Sequence, residues 1–316
     1  TISLDQEMQQ AKKLYGEAKK LQEKILHSIK VKDSLPVDDI KQTTDAMVSS
    51  IFRNQDALSC MTRLRDKGSY LIEHSLNCSI LITIFAKHIK LKDSIIEELA
   101  LGAFLHDIGK VFIPDEILKN KGKLSEKETK IIKSHIALGL KILEDAPKIS
   151  HIAISMVSEH HERIDGSGYP NKLKADEISK YGRMIAIVDS YDAMTAERVF
   201  KASMHPINAF KNLMAESPNA YDGKLVEQFI QCLGVYPVGT LVKLESGKLG
   251  LISKLNHSKP LQPFVRVFYN TRLNQSIPLS ELDLSKNKFN DQIDCCIKPQ
   301  EFNLNLLGFF KAAFTD

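Results

Sequence analysis

The sequence predicts a mainly α-helical protein in which a helical bundle follows an N-terminal helical arm and precedes a small antiparallel β appendage. An apolar stripe at helical spacing runs through residues 4–30 and predicts the arm. Apolar segments with helix start and stop signals then recur up to Gly234 and predict the bundle. At Tyr236-Pro237 the pattern changes to alternating apolar and polar residues, which is typical of strands. We therefore expect three parts, over residues 1–65, 66–235 and 236–316.

The composition is that of a globular protein able to bury a large core. Of the 316 residues, 43% are hydrophobic and 26% are charged. The formal net charge of +4 fits a local pocket for an anionic substrate better than a broad surface for polymeric nucleic acid. The five cysteines are odd in number and lack CxxC spacing, which favours reduced thiols. No apolar run has membrane-spanning length, and no signal-peptide pattern follows Thr1. We expect a cytoplasmic protein, and a fragment that lacks upstream domains.

The arm is predicted as one long polar helix with a single apolar stripe. The stripe residues recur at alternating steps of four and three, with a break at Gln22: Leu4, Met8, Ala11, Tyr15, Ala18, Ile25 and Ile29. Two interpretations stay open. The stripe packs against the rest of its own chain, or it forms a homodimer seam.

The rest of the arm and the bundle region predict a series of helices, several of which carry histidines or aspartates. Their approximate extents are 37–52, 54–67, 70–89, 94–105, 125–143, 149–160 and 178–196, with further helices starting at Pro206 and after Asp222. Gly109 lies just beyond the fourth and is interpreted as a helix stop. The third to seventh helices carry or deliver, in order, His74, His106-Asp107, His135, His160 and the pair Asp189 and Asp192.

The appendage is predicted as a small antiparallel sheet. Residues 238–244, 249–255 and 264–269 alternate apolar and polar side chains, and Gly247 supplies one of the turns between them. Residues 299–314 are predicted as a short closing helix.

Five histidines stand apart from the other five: His74, His106, His135, His160 and His161. Each lies in or at the end of an apolar helix, beside acidic or small residues. A single histidine of this kind is usually a satisfied core residue, but five of them are hard to explain by packing, because a buried imidazole without a partner is costly. We therefore interpret the set as metal ligands.

The ligand types favour transition metals. Imidazole nitrogens with carboxylate oxygens suit Fe, Mn, Zn or Co better than Mg or Ca. Six or seven ligands are too many for one ion, whereas an aspartate can bridge two ions with its two oxygens. Two metals about 3.5–4 Å apart can hold a hydroxide between them and clamp a phosphodiester for in-line displacement. Lys110 could neutralise charge on the phosphate oxygens; the alternative for Lys110 is a solvated surface lysine.

Several motifs in this region match one known family. They are Leu105-His106-Asp107-Ile108-Gly109-Lys110, Ile113-Pro114-Asp115, His160-His161-Glu162, Asp165-Gly166-Ser167-Gly168-Tyr169-Pro170, Arg183 and the run 187–195. On these motifs the sequence resembles the HD-GYP family, a branch of the HD phosphohydrolases, over about residues 66–233. The resemblance implies an HD-type helical bundle. It also implies hydrolysis of a bacterial cyclic dinucleotide, above all cyclic di-GMP, with bound iron or manganese.

The resemblance further implies two ligand sets that share Asp107. The first metal would be held by His74, His106, Asp107 and Asp189, and the second by Asp107, His135, His160 and His161. Lys110 would stand beside a bridging hydroxide that attacks phosphorus and opens the ring to a linear dinucleotide. The residues expected on the substrate side are Gly166, Gly168, Tyr169, Arg183, Asp192, Arg198 and Lys201, with Asp192 orienting either Lys110 or the basic residues.

One departure from the family bears on the metal count. Some members carry a glutamate one helical turn before the first histidine, where it supports a third metal, and here that position is Tyr70. We therefore expect two metals, iron or manganese, with nickel, cobalt and zinc left open. The flanking regions loosely resemble a subgroup in which some members act on 3′3′-cyclic GMP-AMP. Two alternatives remain: a catalytically weak module that binds cyclic dinucleotides, and an HD hydrolase for nucleotide monoesters or guanosine tetraphosphate.

Overall fold

The computed structural model describes residues 2–31, 33–63, 70–120, 122–144, 146, 148–196, 203–286 and 291–302. The described residues form a helical region followed by a small antiparallel sheet, so the predicted mainly α fold class is confirmed. None of the described helices is both long and apolar enough to cross a membrane.

The helical region consists of α-helices joined by short loops and 3₁₀ turns. The α-helices are α1 (Leu4–Lys30), α2 (Val37–Met61), α3 (Tyr70–His88), α4 (Asp93–Leu105), α5 (Asp115–Leu118), α6 (Glu126–Lys133), α7 (His135–Glu144), α8 (His151–Glu159), α9 (Lys180–Thr195), α10 (Pro206–Glu216) and α11 (Gly223–Leu233). The 3₁₀ turns are Ile108–Phe112, Ala175–Glu177 and Pro299–Phe302. Asn54 has non-helical angles (φ −157°, ψ 106°) and kinks α2, where the sequence predicts a break between two helices.

The arm, α1, is part of the same hydrophobic core as the bundle. Its N-terminus is closed by a reciprocal capping box between Ser3 and Gln6. The apolar stripe is buried against α2 and α3, and Tyr15 is only 5% exposed. This agrees with the first interpretation of the stripe, packing within its own chain. A homodimer stays a prediction, and the stripe itself is not free to form its seam.

Where the sequence predicts one helix over 125–143, the structure has two, α6 and α7. At the junction, the backbone N–H of Ser134 still bonds the carbonyls of the last turn of α6. Ser134 Oγ also donates a hydrogen bond to the Ile131 carbonyl at 2.7 Å, and His135 Nδ1 pairs with the Ile132 carbonyl at 2.6 Å. Side-chain groups thus compete with backbone donors for these carbonyls where α6 ends. His135 is therefore the first residue of α7 rather than a mid-helix residue.

The described part of the appendage is a five-stranded antiparallel sheet in the order β4-β3-β2-β1-β5. The strands are β1 (Leu241–Leu244), β2 (Lys248–Lys254), β3 (Phe264–Asn270), β4 (Gln275–Asp283) and β5 (Ile293–Cys296). The sequence predicts the three central strands and misses the two edges, because β4 is largely exposed and lacks an apolar alternation. Of the predicted closing helix, the structure describes a 3₁₀ turn at Pro299–Phe302, and the remainder lies outside the described residues.

A half-buried carboxyl lies where the sheet meets the bundle. Asp56 of α2 lines a small cavity with residues of α3 and α11 and with Val238 and Leu255 near the sheet. Burial raises the pKa of Asp56 from 3.8 to about 6, although His257, Lys254 and Lys87 oppose the shift.

Because its pKa is raised, Asp56 lowers the free energy of unfolding as the pH rises. The folded protein binds more protons than the unfolded chain between about pH 4 and 6, so the cost of burying Asp56 grows as pH rises through 6. We expect Asp56→Asn to raise the melting temperature at pH 7.5, and the gain to shrink below pH 6 and vanish below about 4. The exposed Asp176→Asn serves as the control. A gain that is the same at both ends of this range would contradict the prediction.

Candidate metal centre

Asp107 lies at the middle of a buried group of imidazoles, between the end of α4 and the 3₁₀ turn that follows. It is 5% exposed. Its Oδ2 is 3.7 Å from His74 Nε2 and 3.5 Å from His106 Nε2. Its Oδ1 is 3.5 Å from His135 Nε2 and 3.6 Å from His160 Nε2. Each carboxylate oxygen thus faces a different pair of histidines.

The first cluster is completed by Asp189 of α9. Asp189 Oδ1 is 2.9 Å from His74 Nε2 and 3.8 Å from His106 Nε2. Nitrogen and oxygen donors that share one ion at about 2.1 Å lie roughly 3–4 Å from each other. The four nitrogen-to-oxygen separations in the set of His74, His106, Asp107 and Asp189 are 2.9–3.8 Å, close to that range.

The second cluster contains three histidines and Asp107. The Nε2 atoms of His135 and His160 are 3.2 Å apart, and the rings of His160 and His161 have centroids 4.2 Å apart. His161 Nδ1 also lies 3.7 Å from Asp189 Oδ2. The donor atoms of Asp107, His135, His160 and His161 lie within 4.8 Å of one another, close enough to hold one ion.

Outer hydrogen bonds orient the rings in both clusters. The Nδ1 atoms of His106, His135 and His160 each bond a carbonyl three residues earlier, at 2.7, 2.6 and 2.9 Å. For His74 the partner is a carboxylate instead of a carbonyl: Asp192 Oδ2 lies 2.7 Å from His74 Nδ1. These bonds leave each Nε2 facing the carboxylates, as is usual for metal-binding histidines.

The charges of the site suit a cation. Burial opposes ionisation of Asp107, but Lys110 and His106 outweigh it and hold the pKa of Asp107 well below its ordinary value. Burial also opposes ionisation of Asp189, but the adjoining His106 and His74 imidazoles outweigh it and hold the pKa of Asp189 well below its ordinary value. Burial lowers the pKa of His135 to about 4. At neutral pH the carboxylates are therefore charged and His135 is neutral, the forms that bind metals.

Two buried polar atoms test whether metal ions fit. His106 Nε2 and Asp107 Oδ1 have no hydrogen-bond partner among the described residues. Unpaired buried polar atoms are rare in native proteins, and an unplaced ion is one of the usual reasons for them. His106 belongs to the first cluster and Asp107 to the second, and their imidazole and carboxylate donors suit divalent transition metals. The residues present therefore fit a dinuclear centre.

The loop after His161 is held by a buried acid that sequence reasoning missed. Glu162 is 1% exposed and accepts hydrogen bonds from the backbone N–H groups of Asn171 at 2.7 Å and Leu173 at 3.0 Å. The backbone of Gly168 also lies against this turn, since an added Cβ would come within 2.4 Å of the Arg163 nitrogen. A buried carboxylate fastened to two backbone groups gives the loop a defined shape beside the second cluster.

Tyr169 connects this loop to the second cluster. Its ring stacks on His161 with centroids 4.7 Å apart and planes at 29°. Lys133, the last residue of α6, places its Nζ 4.6 Å from the centre of the Tyr169 ring. Lys133 was also missed by sequence reasoning. Its position two residues before His135, a candidate metal ligand, could have indicated that it lies near the site. Gly166 lies in the same loop with φ +79°, a conformation that favours glycine.

The remaining predicted residues fall in different places. Lys110 is not a solvated lysine: its side chain is 17% exposed and its Nζ is 2.6 Å from Asp107 Oδ2. Arg183 forms an ion pair with Asp222 at 3.0 Å, at the start of α11. Arg198 and Lys201 lie outside the described residues. The substrate-binding roles of these residues stay predictions.

Cys78 is a further residue that the sequence did not single out. It follows His74 by one helical turn, and its sulfur lies 3.8 and 4.0 Å from the two ring nitrogens of His74. Burial raises the pKa of this thiol to about 12, so the thiol is protonated at neutral pH.

Comparisons with known proteins agree with this geometry. A family model described as HD domain matches residues 59–225, just over half of the chain. A cyclic di-GMP phosphodiesterase of Pseudomonas aeruginosa is 32% identical over 292 residues, which are 92% of this chain and 70% of that protein. The 3′3′-cGAMP-specific phosphodiesterase 2 of Vibrio cholerae is 32% identical over 194 residues, which are 61% of this chain and 35% of that protein.

A third relative and a solved structure extend the comparison. A cyclic di-GMP phosphodiesterase of Thermotoga maritima is 33% identical over 182 residues, which are 57% of this chain and 49% of that protein. The chain therefore spans about half or less of the Vibrio and Thermotoga proteins. The solved structure of an HDG"Y"P protein from Bdellovibrio bacteriovorus has the same fold, with a TM-score of 0.58 at 20% identity over 69% of this chain and 70% of that one. The chain belongs to the HD domain family, and the resemblance to its HD-GYP branch that the motifs predict is confirmed.

Proposed function

We propose that this protein is a metal-dependent phosphodiesterase that hydrolyses a bacterial cyclic dinucleotide, cyclic di-GMP or 3′3′-cyclic GMP-AMP, to a linear dinucleotide. The observation that carries the proposal is the position of Asp107, whose two oxygens face two separate groups of histidines. A carboxylate that bridges two ions would hold them close enough together to clamp a phosphodiester, as two-metal cleavage requires.

Two sets of residues would hold the ions. His74, His106, Asp107 and Asp189 would hold one, and Asp107, His135, His160 and His161 the other. A third ion has no ligand at position 70, which is tyrosine. The acid nearest to that position in the sequence, Glu73, is 2% exposed and lies 2.8 Å from Lys19 Nζ. Its negative charge is therefore already paired with a lysine of α1. This supports two ions, for which we propose iron or manganese.

When bound, two divalent ions supply an activated water and the positive charge that stabilises phosphodiester cleavage. The chain's own residues bind and orient the substrate around them. Lys110 provides an ammonium group beside Asp107, where it neutralises charge on the phosphate oxygens. Asp192 keeps the His74 ring in place. Tyr169 offers an aromatic face beside His161 for a base or sugar of the substrate.

The substrate class is supported by the relatives, whose names divide between cyclic di-GMP and 3′3′-cGAMP. The sharpest test is to load the purified protein with iron or manganese and compare turnover of cyclic di-GMP and the three cyclic GMP-AMP linkage isomers by ion chromatography. We expect a linear dinucleotide from at least one of them.

Other outcomes would contradict the proposal and identify an alternative. Cleavage of nucleotide monoesters or guanosine tetraphosphate, with all four cyclic dinucleotides intact, would indicate a different HD hydrolase. Tight binding of a cyclic dinucleotide without turnover, in protein shown by elemental analysis to hold two metals, would indicate a binding module.

Lys133 is expected to strengthen substrate binding without taking part in the chemistry. Its exposed ammonium group lies over Tyr169, at the edge of the second cluster. Replacing it with methionine removes a charge that attracts the phosphates, so we expect KM to rise about fivefold, or about 1 kcal/mol, with kcat changed less than twofold. Lys130→Met, one turn earlier on the exposed surface of α6, is the matched control. An equal rise in KM in both variants would mean that only net charge matters.

A further inference from the structure

The residue that breaks the apolar stripe of α1, Gln22, is buried and bonds another helix. Gln22 is 5% exposed, and its Nε2 donates a hydrogen bond to the Phe104 carbonyl at 2.6 Å. These two residues are 82 positions apart in the sequence, so the contact joins the arm to α4. A buried amide in an otherwise apolar stripe is costly unless it is paired, and here the pairing is with backbone.

The carbonyl that Gln22 binds belongs to the turn that delivers two ligands. Phe104 lies in the last turn of α4, where carbonyl groups lack donors within the helix. The neighbouring carbonyl, that of Ala103, is bonded by His106 Nδ1 at 2.7 Å. Two adjacent carbonyls are therefore bound by a metal-ligand ring on one side and by the arm on the other. This turn leads directly into Asp107.

The arm also binds the helix that carries His74. Lys19 Nζ is 2.8 Å from Glu73 Oε1, and the Tyr15 hydroxyl is 2.9 Å from Asn77 Oδ1. Tyr15, Lys19 and Gln22 are spaced by four and three residues, so they lie on one face of α1. This face therefore contacts both α3 and α4, which supply His74, His106 and Asp107.

We infer that Gln22 is a positioning residue for the dinuclear centre, acting through the last turn of α4 on His106 and Asp107. The inference rests on the proposed function for its two-ion site, and it makes the arm part of that site. The HD domain match begins at residue 59, so this contribution comes from outside the matched region.

The test is the affinity of the folded protein for metal. Gln22→Met keeps the length of the side chain and removes the donor. Titration of metal-free protein with MnCl₂, followed by calorimetry, should show about tenfold weaker binding in Gln22→Met. This is the low end of the roughly 10–100-fold lost when a group bonded directly to a ligand is removed, because Gln22 acts on the ligands through the Phe104 carbonyl. Gln10→Met, exposed on the same helix, should bind Mn²⁺ as the unmodified protein does. If Gln22→Met does not fold, Gln22→Asn, which withdraws the amide from Phe104, takes its place.

A purely structural role gives a different result. If the melting temperature of the metal-free variant falls while its Mn²⁺ affinity stays within twofold, the inference is overturned. The proposed function is tested separately, because this titration uses no dinucleotide. Weakened Mn²⁺ binding in Gln22→Met together with an unmodified protein that cleaves no cyclic dinucleotide would overturn the function and leave the role of Gln22 standing.

Discussion

Asp107→Ala is expected to lose both metal ions and to reduce cyclic-dinucleotide turnover by about a thousandfold or more. The reason is that each oxygen of Asp107 faces its own group of histidines, at 3.5–3.7 Å. Removing one preorganised group that stabilises the transition state already costs about 10²–10³ in rate. Here the same change also removes a ligand from both clusters, so the loss should be at the upper end or beyond.

Asp107→Asn tests the bridge more finely. The amide keeps the size of the side chain but offers one oxygen, so it can serve one cluster and presents N–H donors to the other. We expect at most one ion per chain by elemental analysis, with turnover nearly as low as in Asp107→Ala. Asp115→Ala, an exposed carboxylate eight residues further along the chain, is the matched control and should retain both ions. Two tightly bound ions and full turnover in Asp107→Ala would contradict the role of Asp107 as the bridge between two ions.

Gly109→Ala is expected to have the second largest effect. A Cβ on Gly109 would lie 1.9 Å from the His135 carbonyl oxygen and 2.5 Å from the Gly139 nitrogen, both backbone atoms of α7. Backbone cannot move aside as the end of a flexible side chain can, so α7 must shift away. Overpacking of this kind costs about 1–3 kcal/mol and occasionally more.

The same shift should weaken metal binding, because His135 begins α7 and supplies the second cluster. We expect a lower midpoint in urea unfolding of the metal-free protein, together with selective loss of one of the two ions. Gly16→Ala is the matched control, since no heavy atom lies within 4 Å of an added Cβ in the middle of α1. That change should stabilise the protein by up to about 1 kcal/mol. Equal stability of Gly109→Ala and Gly16→Ala would contradict the close approach.

Gly109 also shows where sequence reasoning reaches its limit. From the sequence, Gly109 was interpreted as a helix stop, and α4 does end before it, at Leu105. The structure gives it another reason, because the 3₁₀ turn at Ile108–Phe112 can approach α7 only if this residue has no side chain. A local stop signal and a close approach between distant elements use the same residue type, so the sequence cannot distinguish them.

The candidate metal centre could be predicted in large part. The residue types and the His-Asp and His-His pairs indicated a metal site, and the family resemblance assigned each ligand to a set. The geometry places the same residues around Asp107. The orientation of the rings could not be predicted from the sequence, because it depends on hydrogen bonds such as the one that Asp192 Oδ2 accepts from His74 Nδ1. Asp192 was expected to orient Lys110 or the basic residues Arg198 and Lys201, which stays a prediction, and the structure also places its carboxylate 2.7 Å from Nδ1 of His74.

By itself, the sequence determined the helical class of the protein, the strands of the sheet centre and the chemistry of the ligands. These follow from periodicity and residue type, which are local properties of the chain. Tertiary structure decided which surface the apolar stripe of α1 covers, how the turn before His106 is held by Gln22, and that Lys133 meets Tyr169. The physical reason is that each of these contacts joins residues far apart in the chain, and their distance is set by how whole helices pack rather than by any pattern within one of them.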